Sequence, residues 1–202
     1  MKLTNFKWDQ DQDGIVTLVW DAPDKQVNVL SMAAIAELTQ VAEAITKDAA
    51  IKGLVLTSGK PGAFSAGADL DEMSAYAGQG GGDAAKAVFD TMMNIHRTFR
   101  KIELCGKPVV AAINGTALGG GLEIALACHC RMIADDPRIR LGFPEAQVGL
   151  IPGAGGTQRL SRMIGAMQAL PMMLEARRID GATAAGMGLA QKVGRASCGE
   201  RV

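Results

Sequence analysis

Aromatic side chains make up only 4% of this 202-residue chain, and it has just two histidines. So few rings leave little material for the stacked-aromatic platforms that bind single-stranded nucleic acids. Neither sign of charge is in excess, because 21 Lys and Arg balance 21 Asp and Glu. Nonspecific nucleic-acid binding therefore has no electrostatic driving force at the level of the whole chain. No apolar run approaches the ~18–20 residues of a membrane span. Residues 1–7 lack both the apolar core of a secretory signal and the Arg-rich pattern of a transit peptide, so we expect a cytoplasmic location. Four cysteines are too few for a disulfide-built fold. The one tight cluster, Cys128-His129-Cys130, would need further ligands to hold zinc, and only His96 and no C-x-x-C pair are available. The cysteines read as reduced, mostly buried thiols.

What remains is an ordinary globular composition, with 48% hydrophobic and 21% charged residues, which excludes a disordered chain. The length suits one domain. Glycine is abundant at 25 residues, a sign of special backbone geometry somewhere. Residues 14–20 read as a strand. Ser31 can N-cap a helix in which Met32, Ile35, Leu38, Val41 and Ile45 follow helical spacing. Residues 53–57 and 108–113 are buried-strand runs, and residues 131–134 and 138–143 are short strands around the turn Asp135-Asp136-Pro137. A helix is predicted over 84–104, behind a Gly-rich stretch at 78–82 that reads as mobile. The turn Pro152-Gly153-Ala154-Gly155-Gly156 leads into helical segments carrying Leu160, Met163, Ile164, Leu170, Met173 and Leu174. Strands alternating with helices predict an α/β layered domain with much parallel pairing and no internal repeat.

Several motifs fail on inspection. Asp9-Gln10-Asp11-Gln12-Asp13-Gly14 opens like a calcium loop, but Trp20 stands where the closing Glu is required. Gly59-Lys60 and Gly106-Lys107 are each followed by Pro rather than Ser or Thr, and neither has the earlier glycine of a phosphate loop. Gly153-x-Gly155 has Gln158 in place of the third dinucleotide-fingerprint glycine. Around Ser65, Ala63 replaces the first glycine of a nucleophile elbow.

Two segments combine a buried strand, a small-residue turn and a helix start, at 63–70 and 114–123. Small residues let a ligand approach the main chain, and the first amides of a helix have no intrahelical partner. Glu123 falls in the first turn after Gly119-Gly120-Gly121, and Glu145 follows Phe143-Pro144. Held together in an apolar cleft beside such amides, the two carboxyls would form an acid/base pair.

The strings F-S-A-G-A-D-L (64–70), A-L-G-G-G-L-E (117–123), F-P-E (143–145) and L-I-P-G-A-G-G-T-Q-R-L (150–160), in this order, resemble the enoyl-CoA hydratase/isomerase (crotonase) family. The likeness is nearest to the hydratase domain that opens the multifunctional α-subunit of fatty-acid β-oxidation. The resemblance implies a crotonase-like ββα spiral and an enoyl-CoA hydratase acting on an acyl-CoA, with no metal and no cofactor beyond the CoA carried by the substrate. It implies an oxyanion hole from the N–H groups of Ala68 and Gly120, and Glu123 and Glu145 as the catalytic pair. Ala66, Ala68, Asp69, Leu70, Asp71 and Gly120 would line the acyl-CoA site, with Lys25, Val27 and Asn28 near the CoA nucleotide. It also implies a homo-oligomer or a β-oxidation complex with a thiolase subunit, and neither a nucleic-acid partner nor a membrane span. A Δ3,Δ2-enoyl-CoA isomerase is the related alternative, and an inactive CoA-binding fragment is another. The likeness ends near Val193. Residues 194–202 match nothing expected there and read like a translated adapter, so we expect a domain over 1–193 that is truncated at its C-terminus.

Overall fold

The computed structural model describes residues 1–69, 71–72 and 82–194, with 82–84 as backbone alone. Leu70, most of the Gly-rich stretch at 78–82 and residues 195–202 therefore lie outside the described residues. An antiparallel hairpin opens the chain, β1 (Phe6–Gln10) and β2 (Ile15–Trp20). The acidic run between them is a tight turn, in which Asp11 Oδ1 accepts from the N–H groups of Asp13 and Ile15. In β2 every second residue, Val16, Leu18 and Trp20, points into the core, the period-2 burial of a half-covered strand.

Helix α1 (Met32–Lys47) begins where expected, with Ser31 Oγ accepting from Ala34 N at 3.2 Å. Ile35, Leu38, Val41 and Ile45 form its buried stripe, the spacing that places them on one face. The chain then winds through a repeating path: β3 (Gly53–Ser58), β4 (Ala63–Ser65) and α2 (Gly82–Glu103); β5 (Val109–Ile113), β6 (Thr116–Leu118) and α3 (Gly120–Ala127); β7 (Cys130–Ala134) and β8 (Leu141–Gly142). Each turn gives one strand to a six-stranded sheet, order β1-β2-β3-β5-β7-β9 with β9 at Lys192–Gly194, and one to a three-stranded sheet, order β4-β6-β8. Apart from the first hairpin, all these pairings are parallel. This is a ββα spiral. The repeat predicted absent from the sequence is present in the backbone path.

After β8 come a 3₁₀ turn (Glu145–Val148), α4 (Gly156–Ile164), α5 (Ala166–Leu174) and α6 (Gly181–Gly186). The last strand, β9 (Lys192–Gly194), pairs with β7, with Val193 opposite Ile133. The strand expected over 138–143 contracts to Leu141–Gly142, because Arg138 closes back on the Asp136 carboxylate and holds a turn. Helix α3 is buried along its whole length and sits in the core with no polar face. Among the described residues no helix is long and apolar enough to cross a membrane. The three cysteines among them are free, and burial pushes the Cys128 thiol up to about 12.

Candidate active site

Two strand-to-helix connections meet at one cavity. In the first, Ala66 N donates to Asn28 O at 2.9 Å and Leu30 N donates to Gly67 O at 2.7 Å. This pairs the 28–30 segment with the loop after β4 and leaves the Ala68 N–H without a backbone acceptor among the described residues. In the second, Gly119 takes φ +53° and ψ −129°, a conformation that only glycine adopts readily. Its turn opens α3, so the Gly120 N–H likewise has no acceptor among the described residues, as the first amide of a helix must.

Close packing brings these amides to the same space. A Cβ on Gly120 would lie 3.6 Å from Ala68 N, and one on Gly67 would lie 3.6 Å from Gly120 N. A Cβ on Gly121 would stand 2.5 Å from Ser65 Cβ, so α3 can approach β4 only with glycine there. Ala68 and Gly120 both line a cavity of about 370 Å³, a size within the range of small-molecule sites. Helix α2 supplies Val88, Met92 and Ile95 to its walls, and the segment after the 3₁₀ turn supplies Leu150 and Ile151.

Glu123 and Glu145 line the same cavity. Glu123 is 3% exposed, and its Oε1 accepts from Ala154 N at 2.8 Å and Gly156 N at 2.7 Å. Oε2 is the oxygen left for the cavity. Burial pushes this carboxyl up to about 7; the Gly156 amide opposes the shift, the Glu145 charge adds to it, and the Ala154 amide opposes it. Glu145 begins the 3₁₀ turn half-buried. Burial raises its value too, and its Oε2 is buried without a hydrogen-bond partner among the described residues. An unpartnered buried carboxyl oxygen beside a cavity is suited to a ligand or water. The two amides can hold a partly anionic oxygen, and the two carboxyls can exchange protons with a molecule between them.

Of the residues singled out in the sequence, Ala68, Asp69, Gly120, Glu123 and Glu145 are thus brought together. Lys25 reaches the group indirectly, its Nζ 3.4 Å from Asp69 Oδ2. Val27 and Ala66 are exposed and do not line the cavity, and Asp71 is exposed with its N–H donating to Asp69 Oδ1. Asn28 departs from the expected contact with CoA. It is fully buried, and its side chain accepts from Ala22 N and donates to Trp20 O, Ser58 Oγ and Phe64 O. Its amide clamps the loop that presents Ala68. The sequence reading missed Ala154 and Gly156, the donors that fix Glu123. Their only signal was the small-residue turn 152–156, since a main-chain donor has no residue type of its own.

The enoyl-CoA hydratase/isomerase family model matches residues 10–197. The chain is 45% identical over 188 residues to the fatty acid oxidation complex subunit alpha of Shewanella sp. (strain ANA-3), covering 93% of this chain and 26% of that protein. The same-named protein of Shewanella amazonensis is 42% identical over 191 residues, with the same coverage. The chain thus spans about a quarter of the length of these curated relatives. Among solved structures, an enoyl-CoA hydratase from Bacillus anthracis superposes with a TM-score of 0.82 at 37% identity, over 94% of this chain and 69% of that one. DspI from Pseudomonas aeruginosa gives 0.85 at 31% identity, over 98% and 71%.

Proposed function

The chain belongs to the enoyl-CoA hydratase/isomerase family, and from that premise we propose that it adds water across the C2–C3 double bond of trans-2-enoyl-CoA thioesters in fatty-acid β-oxidation. The observation that carries this reading is the pairing of two carboxyls, both raised by burial, with two amides that have no acceptor among the described residues, all on one cavity.

In this reading the thioester oxygen lies between the N–H groups of Ala68 and Gly120. As water attacks C3, negative charge develops on that oxygen, and fixed amides meet it without reorganising. Loss of one such donor costs about 2.7–4 kcal/mol of transition-state stabilisation. Glu123, held through Oε1, takes the water proton on its free oxygen. Glu145, whose burial favours the protonated form, delivers a proton to C2. Hydroxyl ends on C3 and hydrogen on C2, and the proton taken by Glu123 offsets the one given by Glu145. Two carboxyls on the cavity favour hydration over the isomerase alternative, which needs one dominant acid/base. In this reading Lys25, half-exposed beside Asp69, would meet the CoA phosphates. Asn28 serves by holding the 66–68 loop. The names of the Shewanella relatives support a place in a fatty-acid oxidation complex.

The test is crotonyl-CoA hydration by the unsubstituted chain, E123Q and E145Q. Each variant is expected to lose about 10²–10⁴ in kcat while still binding acyl-CoA in a thermal-shift titration. Near-parental turnover in both variants refutes the assignment, and binding without turnover by the unsubstituted chain favours the CoA-binding alternative.

A further inference from the structure

The turn that holds Glu123 is itself held from behind. Arg159, in the first turns of α4, has a side chain only 12% exposed. Its Nε donates to Glu103 Oε1 at 2.7 Å, and its Nη1 donates to Ala154 O at 2.9 Å. Its guanidinium carbon lies 5.9 Å from the ring centroid of Phe99, within cation–π range. The Arg159 N–H also closes on Gly155 O at 3.0 Å. Ala154 is the residue whose own N–H donates to Glu123 Oε1, so it is gripped on both sides. Gly155, at φ +97°, lets the guanidinium pass: a Cβ there would lie 2.3 Å from Nη1. Glu103 ends α2 and is braced in turn by Arg100 at 3.1 Å. An unbroken chain of polar contacts therefore runs from the end of α2, through Arg159 and Ala154, to the carboxyl in the cavity.

We infer that Arg159, anchored by Glu103, is a positioning residue: it fixes the 154–156 turn so that two amides stay on Glu123, and it places a permanent positive charge behind that carboxyl. The inference rests on the hydratase reading for its kinetic consequence only. Around Glu123 stand Glu145 from the 3₁₀ turn and Arg159 from α4; His96 from α2 reaches the adjacent turn, its Cε1 3.6 Å from where a Gly155 Cβ would be. Asp69 and Glu72 line the same cavity. Burial and the Glu145 charge raise the Glu123 value, while the Arg159 charge lowers it. A general base must be ionised at working pH, so this opposition favours the active form. The fork of Arg is also what lets one side chain bind a carboxylate and a carbonyl together.

The test separates charge from geometry and does not depend on turnover alone. Carbon-13 NMR titration of the Glu123 carboxyl, assigned by its loss in E123Q, is run on the unsubstituted chain, R159Q and R159K, alongside crotonyl-CoA kinetics. R159Q removes the charge and is expected to move the Glu123 midpoint upward by about half a pH unit or more. R159K keeps the charge, leaves the midpoint within about 0.2 unit, and lowers kcat roughly tenfold with KM little changed, because the fork is lost. An unmoved midpoint in R159Q, or parental kcat in R159K, overturns the inference. Should R159Q fail to fold, E103Q takes its place. It frees the Arg159 guanidinium from its anchor behind Glu123, so the midpoint moves upward and kcat falls as the 154–156 turn loosens; a parental midpoint and kcat overturn the inference. A midpoint that moves in a protein hydrating no enoyl-CoA refutes the hydratase reading and leaves the anchoring role standing.

Discussion

Replacing Glu123 with glutamine is expected to make the protein more stable above neutral pH. Folding takes this carboxyl from its ordinary value of 4.5 to about 7, because burial outweighs the amides of Gly156 and Ala154. Between those two values the native state keeps a proton that the unfolded chain has released. Its contribution to stability is therefore present below the lower value and is lost as pH rises through the upper one. At ~1.4 kcal/mol per pKa unit, the ionised group costs the native state about 3 kcal/mol above neutrality. Glutamine cannot ionise, and its Oε1 can still accept from Ala154 and Gly156. Urea unfolding of parent and E123Q at several pH values reads the difference directly. The two proteins should be closely matched near about pH 4, and E123Q should lead by about 3 kcal/mol near about pH 8. Glu145 titrates in both proteins, and loss of the Glu123 charge eases its ionisation in the variant, which acts in the same direction. A gap that stays flat or closes as pH rises refutes the claim that burial strains this carboxyl.

Two further substitutions probe the supports of the site. In G156A the new Cβ would stand 2.9 Å from Glu123 Oε1 and 2.8 Å from Phe143 Cζ, so the carboxyl must leave its amides. About a 10²-fold loss of kcat is expected, with about 1–3 kcal/mol of destabilisation from overpacking, measured by crotonyl-CoA turnover and urea unfolding; parental kcat contradicts it. N28A removes an amide that makes four hydrogen bonds and leaves buried groups unpaired, for a loss of about 3 kcal/mol or more in urea unfolding. A raised KM for acyl-CoA with unchanged stability would instead restore Asn28 to the CoA contacts.

The longer elements were legible because their burial is periodic. Val16, Leu18 and Trp20 alternate, and Ile35, Leu38, Val41 and Ile45 follow a helix, so local pattern and tertiary burial agree. The strands β4, β6 and β8, of three, three and two residues, are too short to show alternation. What defines them is pairing with one another across a helix and a strand of intervening chain. The ββα repeat was hidden for the same reason: successive turns share a backbone path, not a side-chain pattern. Glu123 and Glu145 could be found because each follows small residues or Pro near a helix start. The role of Asn28 could not be read, since an amide suits a ligand contact and a loop clamp equally well.

The glycines at 119, 120 and 121 explain why a helix so poor in stabilising residues at its start persists. Gly120 and Gly121 each cost α3 about 1 kcal/mol relative to alanine, yet all three glycines remove a specific obstruction. Gly119 takes a turn no other residue adopts readily, and a Cβ there would stand 3.0 Å from Glu145 Oε1; Gly121 clears Ser65; and a Cβ on Gly120 would press to 3.1 Å from Leu30 Cδ2. The string is therefore a spacing device and not a source of flexibility. It draws the start of α3 against β4 until the amides of residues 68 and 120 border one space, with Glu123 one turn further along the same helix. Sheet pairing holds the β4 side and the core holds the α3 side. Neither element alone could fix the donors, and the separation of amides from acid is then set by the pitch of one buried helix.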